Sequence, residues 1–336
     1  MQAVLARAAG GPEVLSLIEQ AVPQPRDGEV RVRALSIGVN YADVLCRQAV
    51  HQSMRPPPII PGCEAAGIVE ACGAGVSRHR VGDRVGVYSP FGGAYAEALV
   101  VPENYALPLP ESMSFEKGAA FTHVYLTAHE ALNASAPPRP GASVLVTAAA
   151  GGLGGAVLQL AAALELRVIA AVGSPAKRQM LLDRGIETVI DYGTSHLTEA
   201  VLEATDGRGV DIAIETVGGV LFEQAQDALA PLGKIVIAGA ASASGREPRP
   251  DVAALLARSA TCATLNLSVV FAKRPAHAHA AWDRLTALYA KKLLQPRIGH
   301  RFELKDAAEA HRLLESRAST DKILLTPPER LSAGQA

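Results

Sequence analysis

Ala149-Ala150-Gly151-Gly152-Leu153-Gly154 is the stretch of this chain best suited to hold a phosphate. It follows a strand-like run, Ser143–Thr147, and opens a helix-like one. With its neighbours it forms an uncharged run from Pro140 to Leu164, long enough to span a membrane, which takes roughly twenty apolar residues. Gly151 and Gly155 form a GxxxG of the kind that packs membrane helices. Yet Gly151, Gly152, Gly154 and Gly155 each cost a helix about 1 kcal/mol relative to alanine. Strand, tight turn and helix is the better reading, and the string is then a GxGxxG with alanine in first place. Gly151 lets the backbone approach a pyrophosphate, Gly154 lets helix and strand pack closely, and the helix N-terminus supplies free N–H groups and partial positive charge. That chemistry is dinucleotide binding.

The next strand selects the dinucleotide. An acid about 20 residues on would hold the ribose hydroxyls of NAD. Here the strand Arg167–Val172 runs into Gly173-Ser174-Pro175-Ala176-Lys177-Arg178, with no acid before Asp183. Ser174, Lys177 and Arg178 can hold a 2′-phosphate by charge-assisted hydrogen bonds. The expected cofactor is NADPH; the plainer alternative is a solvated basic turn at a helix start.

These residues need a scaffold. Residues 1 to about 120 read as short strands separated by Gly and Pro: Glu29–Asn40 alternates as a strand does, and GCEAAGIVEACGAGV, VGDRVGVYS and GAYAEALVVP follow. A helix is expected from about Phe115 to Ser135, with Ser114 as its N-cap. Strands then alternate with helices. The strands are SVLVT, Arg167–Val172, Thr188–Tyr192, Val210–Gly218, Lys234–Gly239 and Thr261–Leu267, and the helix-like segments between them include LFEQAQDALAPLG and DVAALLARSA. This is the rhythm of a doubly wound parallel sheet. A helix, strand, helix and strand close the chain.

The 336 residues suggest two domains, because one core rarely grows past about 250–300 residues. A net charge of −1 and few aromatic residues argue against a nucleic-acid surface. The N-terminus carries no secretory signal pattern. Cys46, Cys63, Cys72 and Cys262 show no CxxC spacing, which fits free thiols in a reducing cytosol. The expected localisation is cytoplasmic, with no membrane and no nucleic acid as partner.

GGPEVL (10–15), GVNYADV (38–44), PGCEAAGIV (61–69), GDRV (82–85), GGAYAE (92–97), AAAGGLG (148–154) and LLESRAS (313–319) occur in this order along nearly the entire chain. Together they resemble the medium-chain dehydrogenase/reductase superfamily, and within it the zinc-free, zeta-crystallin-like quinone oxidoreductases. The resemblance implies an α/β fold: a β-rich GroES-like catalytic domain, discontinuous over 1–123 and 268–336, plus a doubly wound Rossmann domain over 124–267. It also implies a homodimer. It places Asn40 and Thr127 near the nicotinamide. Gly151, Gly152, Leu153, Gly173, Ser174, Lys177 and Tyr192 would hold the pyrophosphate and the adenosine end. Val217, Gly239, Ala240 and Ala241 would flank the cofactor, Leu265, Asn266 and Leu267 would complete the nicotinamide wall, and Arg317 would reach the 2′-phosphate. Read alone, Tyr192 can simply end a strand, and Arg317 can pair with Glu315 or Asp321 on a surface.

Zinc-dependent relatives carry a Cys where Gly38-Val39-Asn40 stands, a His where Gly62-Cys63-Glu64 stands, and a third ligand from the long helix. They also have a four-cysteine lobe, for which 86–116 offers no cysteine. Asn40 is a poor zinc ligand. Cys63 and His123 fall near the second and third places, and with Glu64 they form a set that can converge, but a packed thiol and a helix histidine are the preferred reading. No metal is expected. The expected reaction is hydride transfer from nicotinamide to a quinone in the interdomain cleft, with Asn40 orienting the nicotinamide or acceptor oxygen; Tyr41 either donates to that oxygen or is a packed aromatic, and water can supply the proton instead. Enoyl, 2-alkenal or enoyl-thioester reduction is the enzymatic alternative, and a non-catalytic NADPH-binding protein the other. The stretch 48–58, with His51 and Arg55, is expected to rim the acceptor site and set its choice.

Overall fold

The computed structural model describes residues 1–51, 54–239 and 248–328. The chain divides into two compact units. Met1–His123, Val270–Trp282 and Pro296–Ala336 form the first, and Val124–Val269 with Asp283–Gln295 the second. Residues 283–295, assigned from sequence to the first unit, group with the second.

The first unit begins with the antiparallel pair β1 (Gln2–Ala6) and β2 (Leu15–Glu19). Its main sheet is built on β3 (Glu29–Val39), β4 (Glu64–Cys72), β5 (Arg84–Tyr88), β6 (Ala98–Pro102) and β7 (Ala106–Pro108). Along β3, Val30, Val32 and Ala34 point inward in alternation. From Ser36 to Val39 burial is continuous, so both faces of the strand are covered there. Gly38 makes a close approach possible: a Cβ on it would sit 2.3 Å from the Ala119 carbonyl oxygen and 2.5 Å from the Glu64 carboxylate.

The second unit holds β8 (Ser143–Val146), β9 (Arg167–Val172), β10 (Thr188–Asp191), β11 (Val210–Glu215), β12 (Leu229–Ile237) and β13 (Thr261–Thr264). They pair in parallel in the order β10-β9-β8-β11-β12-β13, with helices in the crossovers. This is the expected doubly wound sheet, and its order reverses direction between β8 and β11. Leu145, Ile169, Ala213, Ile235 and Phe222 form part of its core. Lys234 closes the end of the helix Thr122–Asn133 by donating to the carbonyls of Leu132, Ala134 and Ala136. The chain then returns to the first unit, where β14 (Ile298–Glu303) and β15 (Lys322–Thr326) pair in parallel and β15 adds to β3.

Two expectations need correction. The helix expected over 115–135 is two helices, Phe115–Ala119 and Thr122–Asn133. Ser114 caps the first, accepting from the Lys117 amide at 3.2 Å. The second starts anew because the Glu64 carboxylate takes the His123 amide at 2.6 Å, and a helix N-terminus favours a negative charge there. Residues 229–233, expected at the end of a helix, begin β12 instead. Pro231 removes a helical hydrogen bond, so the helix Val220–Asp227 stops before it.

Candidate active site

In the first unit, four elements converge on one buried ion pair. Lys322, the first residue of β15, places its ammonium 2.6 Å from Glu64 Oε2 and 2.5 Å from Asn40 Oδ1. The side chains of Lys322 and Glu64 are 3% and 0% exposed. Asn40 follows β3, Glu64 opens β4, and the His123 amide on the helix Thr122–Asn133 binds Glu64 from the other side. The Asn40 amide group donates to Glu64 Oε2 at 3.1 Å and to Cys63 Sγ at 3.3 Å. Asn40 has two N–H donors, so its amide is committed within the cluster. Cys63 Sγ lies 3.7 Å from His123 Nδ1, and the His123 ring stacks on Tyr88 at 5.4 Å. Burial, followed by the charges of Asp43 and Glu64, pushes the Cys63 thiol well above its ordinary range.

A directed chain of hydrogen bonds holds the floor of this cluster. The buried Arg47 guanidinium contacts His311 Nδ1 at 3.2 Å and pairs with Glu315 at 2.6 and 2.9 Å. Guanidinium only donates, so His311 Nδ1 accepts and Nε2 carries the proton. That proton is given to the Tyr95 oxygen at 3.0 Å, and the Tyr95 hydroxyl donates to Asp43 Oδ2 at 3.1 Å. Asp43 in turn accepts the Asn40 amide at 2.9 Å and the Cys63 amide at 3.0 Å. One carboxylate thus fixes the backbone at both residues that face Lys322 and His123. Burial raises Asp43 to about 6. Burial, with Lys322 nearby, lowers His123 to about 3, and burial beside Arg47 lowers His311 to about 3.

In the second unit the expected cofactor residues line up along one edge of the sheet. Because every strand runs parallel, the segments after β8, β9, β10, β11, β12 and β13 emerge at the same side. Those segments contain Gly151–Leu153, Gly173–Lys177, Tyr192, Val217, Gly239 and Leu265–Leu267. Gly154 is required by packing, since a Cβ there would sit 2.5 Å from the Ala148 oxygen and 2.6 Å from the Ala149 Cα. Gly151, the N-cap of the helix Gly152–Ala163, is different: its nearest neighbour would be the Ala148 oxygen at 3.4 Å. Among the described residues nothing lies closer on that side of the backbone. Tyr192 lies against Gly173, where a Cβ would meet its ring at 2.8 Å. Ser174 caps the helix Pro175–Asp183 with Lys177 in its first turn, and burial lowers Lys177 from its ordinary value. Arg178 does not join them. It donates to the Val189 carbonyl at 3.1 Å and faces the groove along β10 with Asp191 and Glu203.

Other expected residues are less directly placed. Thr127 is buried in the second unit. Asn266 is exposed and its side chain accepts from Ser268, while Leu267 is buried. Ala240 and Ala241 lie outside the described residues. Arg317 belongs to the first unit, where its charge, with those of Glu315 and Arg47, acts on Tyr41. Burial and then Glu315 raise the Tyr41 phenol above its ordinary value. Sequence reasoning missed Lys322, Asp43, Tyr95 and His311 in the first unit. It also missed Glu215, whose buried carboxylate at the end of β11 accepts from the Val217 and Gly218 amides and from Thr147. A charge inside an apolar strand was the available signal, in KILLT and in VDIAIE.

The family models match both parts of this architecture: "Alcohol dehydrogenase GroES-like domain" over residues 26–111 and "Zinc-binding dehydrogenase" over 152–285. A quinone oxidoreductase from Pseudomonas aeruginosa is 35% identical over 323 residues, covering 95% of this chain and 98% of that protein. The chain belongs to the medium-chain dehydrogenase/reductase superfamily. Among its other relatives, the synaptic vesicle membrane protein VAT-1 homolog of Rattus norvegicus is 33% identical, covering 92% of this chain and 79% of that protein. The Escherichia coli quinone oxidoreductase, solved in complex with NADPH, superposes with a TM-score of 0.90 at 32% identity, covering 97% of this chain and 100% of that one.

The metal of zinc-dependent members of this superfamily does not fit the residues present. Asn40 turns N–H donors, not lone pairs, toward Cys63 and Glu64, and an ammonium already binds Glu64. Among the described residues no three His, Cys, Asp or Glu side chains are arranged to hold a metal ion. NADPH does fit, in the open cradle at Gly151 and the acid-free turn at Ser174–Lys177.

The buried histidines make stability depend on pH. His123 and His311 titrate near 6.5 when unfolded and near 3 when folded, so the unfolded chain binds more protons between those values. Their contribution is present above pH 6.5 and lost as the pH falls. Asp43, raised from 3.8 to about 6, opposes one of the two. Unfolding free energy should therefore fall from pH 6.5 toward 4 by about 1.4 kcal/mol per pH unit for each net proton. Urea titrations across this range test it. His311→Gln should flatten the slope by about one proton's worth; an unchanged slope would contradict the assignment.

Proposed function

We propose that the chain is an NADPH-dependent quinone oxidoreductase that works without zinc. The observation that carries the cofactor reading is the end of β9, where Ser174 and Lys177 stand and no acid does. The acceptor reading draws on relatives named quinone oxidoreductase that match nearly the whole chain. The Gly151 and Gly152 turn and the helix behind it would bind the pyrophosphate, and Ser174 and Lys177 would select the 2′-phosphate.

Bound reduced nicotinamide supplies the hydride. The chain's own residues supply position and polarity. Tyr41, kept protonated by burial and by Glu315, would donate a hydrogen bond to the acceptor oxygen. Asn40, its amide held by Lys322, Glu64 and Cys63, would shape the floor rather than bind acceptor directly. His51 Nδ1 accepts the Met54 amide at 3.2 Å, which leaves Nε2 to carry the proton of the neutral ring. Quinones are already electrophilic, so strong polarisation of a carbonyl is not required of these groups.

The same reading includes a homodimer in the cytosol. β13 forms an edge of the six-stranded sheet, and Val252, Leu256 and Val269 nearby in sequence are exposed, which suits pairing with a second copy. All four cysteines are free, as a reducing compartment favours. Light scattering should give twice the chain mass.

Coenzyme oxidation should be followed with 1,4-benzoquinone, 9,10-phenanthrenequinone, a 2-alkenal and crotonyl-CoA. The quinones should turn over fastest, with NADPH preferred to NADH. Lys177→Ala should weaken NADPH binding on the order of tenfold and leave NADH binding unchanged. Faster turnover of the alkenal or thioester would move the assignment to an enoyl reductase. No turnover despite tight NADPH binding would point to a non-catalytic role.

A further inference from the structure

We propose that Lys322 is the resident cation of the first unit's site: it supplies, from within the chain, the positive charge that a metal supplies in zinc-dependent relatives, and it keeps Cys63, Glu64 and His123 from taking up a metal. The geometry of the donors motivates this. Two ligands of a tetrahedral zinc, with Zn–S near 2.3 Å and Zn–N near 2.0–2.1 Å, stand about 3.6 Å apart. Cys63 Sγ and His123 Nδ1 are separated by 3.7 Å. Two good ligands are already at ligand spacing, and Glu64 is next to Cys63 in sequence.

The third donor is denied by hydrogen bonds. Glu64 Oε2 is taken by Lys322 at 2.6 Å and by Asn40 at 3.1 Å, and Oε1 by the His123 amide at 2.6 Å. The Asn40 amide is locked in the orientation that points N–H at Cys63 Sγ, because its oxygen accepts from Lys322 at 2.5 Å. A divalent cation entering between Cys63 and His123 would meet both an N–H donor and a buried ammonium, which repels it in a poorly screened interior. Lys322 acts through Asn40 and Glu64, so it is a positioning residue.

A lysine with a purely structural role would not alter metal affinity, and this separates the two cases. The full-length chain, Lys322→Gln and Lys322→Gln/Cys63→Ser would be dialysed free of metal and titrated with Co2+. The unsubstituted chain should show neither a thiolate-to-cobalt absorption band nor a shift in melting temperature. Lys322→Gln should bind about one cobalt per chain, with the thiolate band and a raised melting temperature, and Cys63→Ser should remove both. A cooperatively melting Lys322→Gln chain that binds no cobalt, or an unsubstituted chain that shows the band, would overturn the proposal. Should Lys322→Gln fail to fold, Asn40→Cys tests the same point with the lysine in place. It adds a soft donor at the first ligand position, yet it should remain free of cobalt; uptake there would overturn the proposal equally. None of these readouts depends on the acceptor or on NADPH.

Discussion

The contact between Lys322 and Glu64 organises the polar cluster at the centre of the first unit. Two charges removed from water cost several kcal/mol each, and only close mutual contact with further hydrogen bonds offsets that. Here the offset is assembled from four places in the chain. β15 brings the ammonium, β4 the carboxylate, the end of β3 an amide oxygen, and a helix N-terminus an N–H group. Gly38 must be glycine because any side chain would displace Glu64, and the helix over 115–135 must break for His123 to present its amide. Local features with no obvious common cause in sequence follow from one electrostatic demand.

The second unit solves a related problem differently. Glu215 is also buried at the end of a strand, but among the described residues no lysine pairs with it. Its carboxylate is held by the amides of Val217 and Gly218 and by the Thr147 hydroxyl. Burial raises it and those hydrogen bonds lower it. Thr147 ends the segment before the glycine turn, and the Thr216 amide donates back to it at 3.0 Å. The point where the strand order reverses is thereby stitched together by polar groups satisfied within the protein.

What sequence could reveal follows from how local each determinant is. The alternating strands and helices of the second unit were legible because each βα repeat carries its own periodicity and turn residues. The Ser174 turn could be read for the same reason: its distance from the glycine string is fixed by one βαβ unit. Arg178 illustrates the limit, because the helix rotates it onto the Val189 carbonyl, and three residues of spacing do not reveal which face a side chain takes. Lys322 and Glu64 lie 258 residues apart, and His311 reaches Arg47 across 264. No local pattern connects such residues. The groups that occupy the Asn40 side chain also come mostly from distant residues, Cys63, Glu64 and Lys322, and its own segment does not announce them.

The central claim is that the buried Lys322–Glu64 pair holds this site as a unit, and a double-mutant cycle measures it directly. Lys322→Met, Glu64→Gln and the combined variant would be compared by urea unfolding with the unsubstituted chain. Each single change leaves a buried group without its partner and should cost about 3–5 kcal/mol. The double variant should recover much of that loss, giving a coupling of several kcal/mol. Simple additivity of the two single effects would contradict the account.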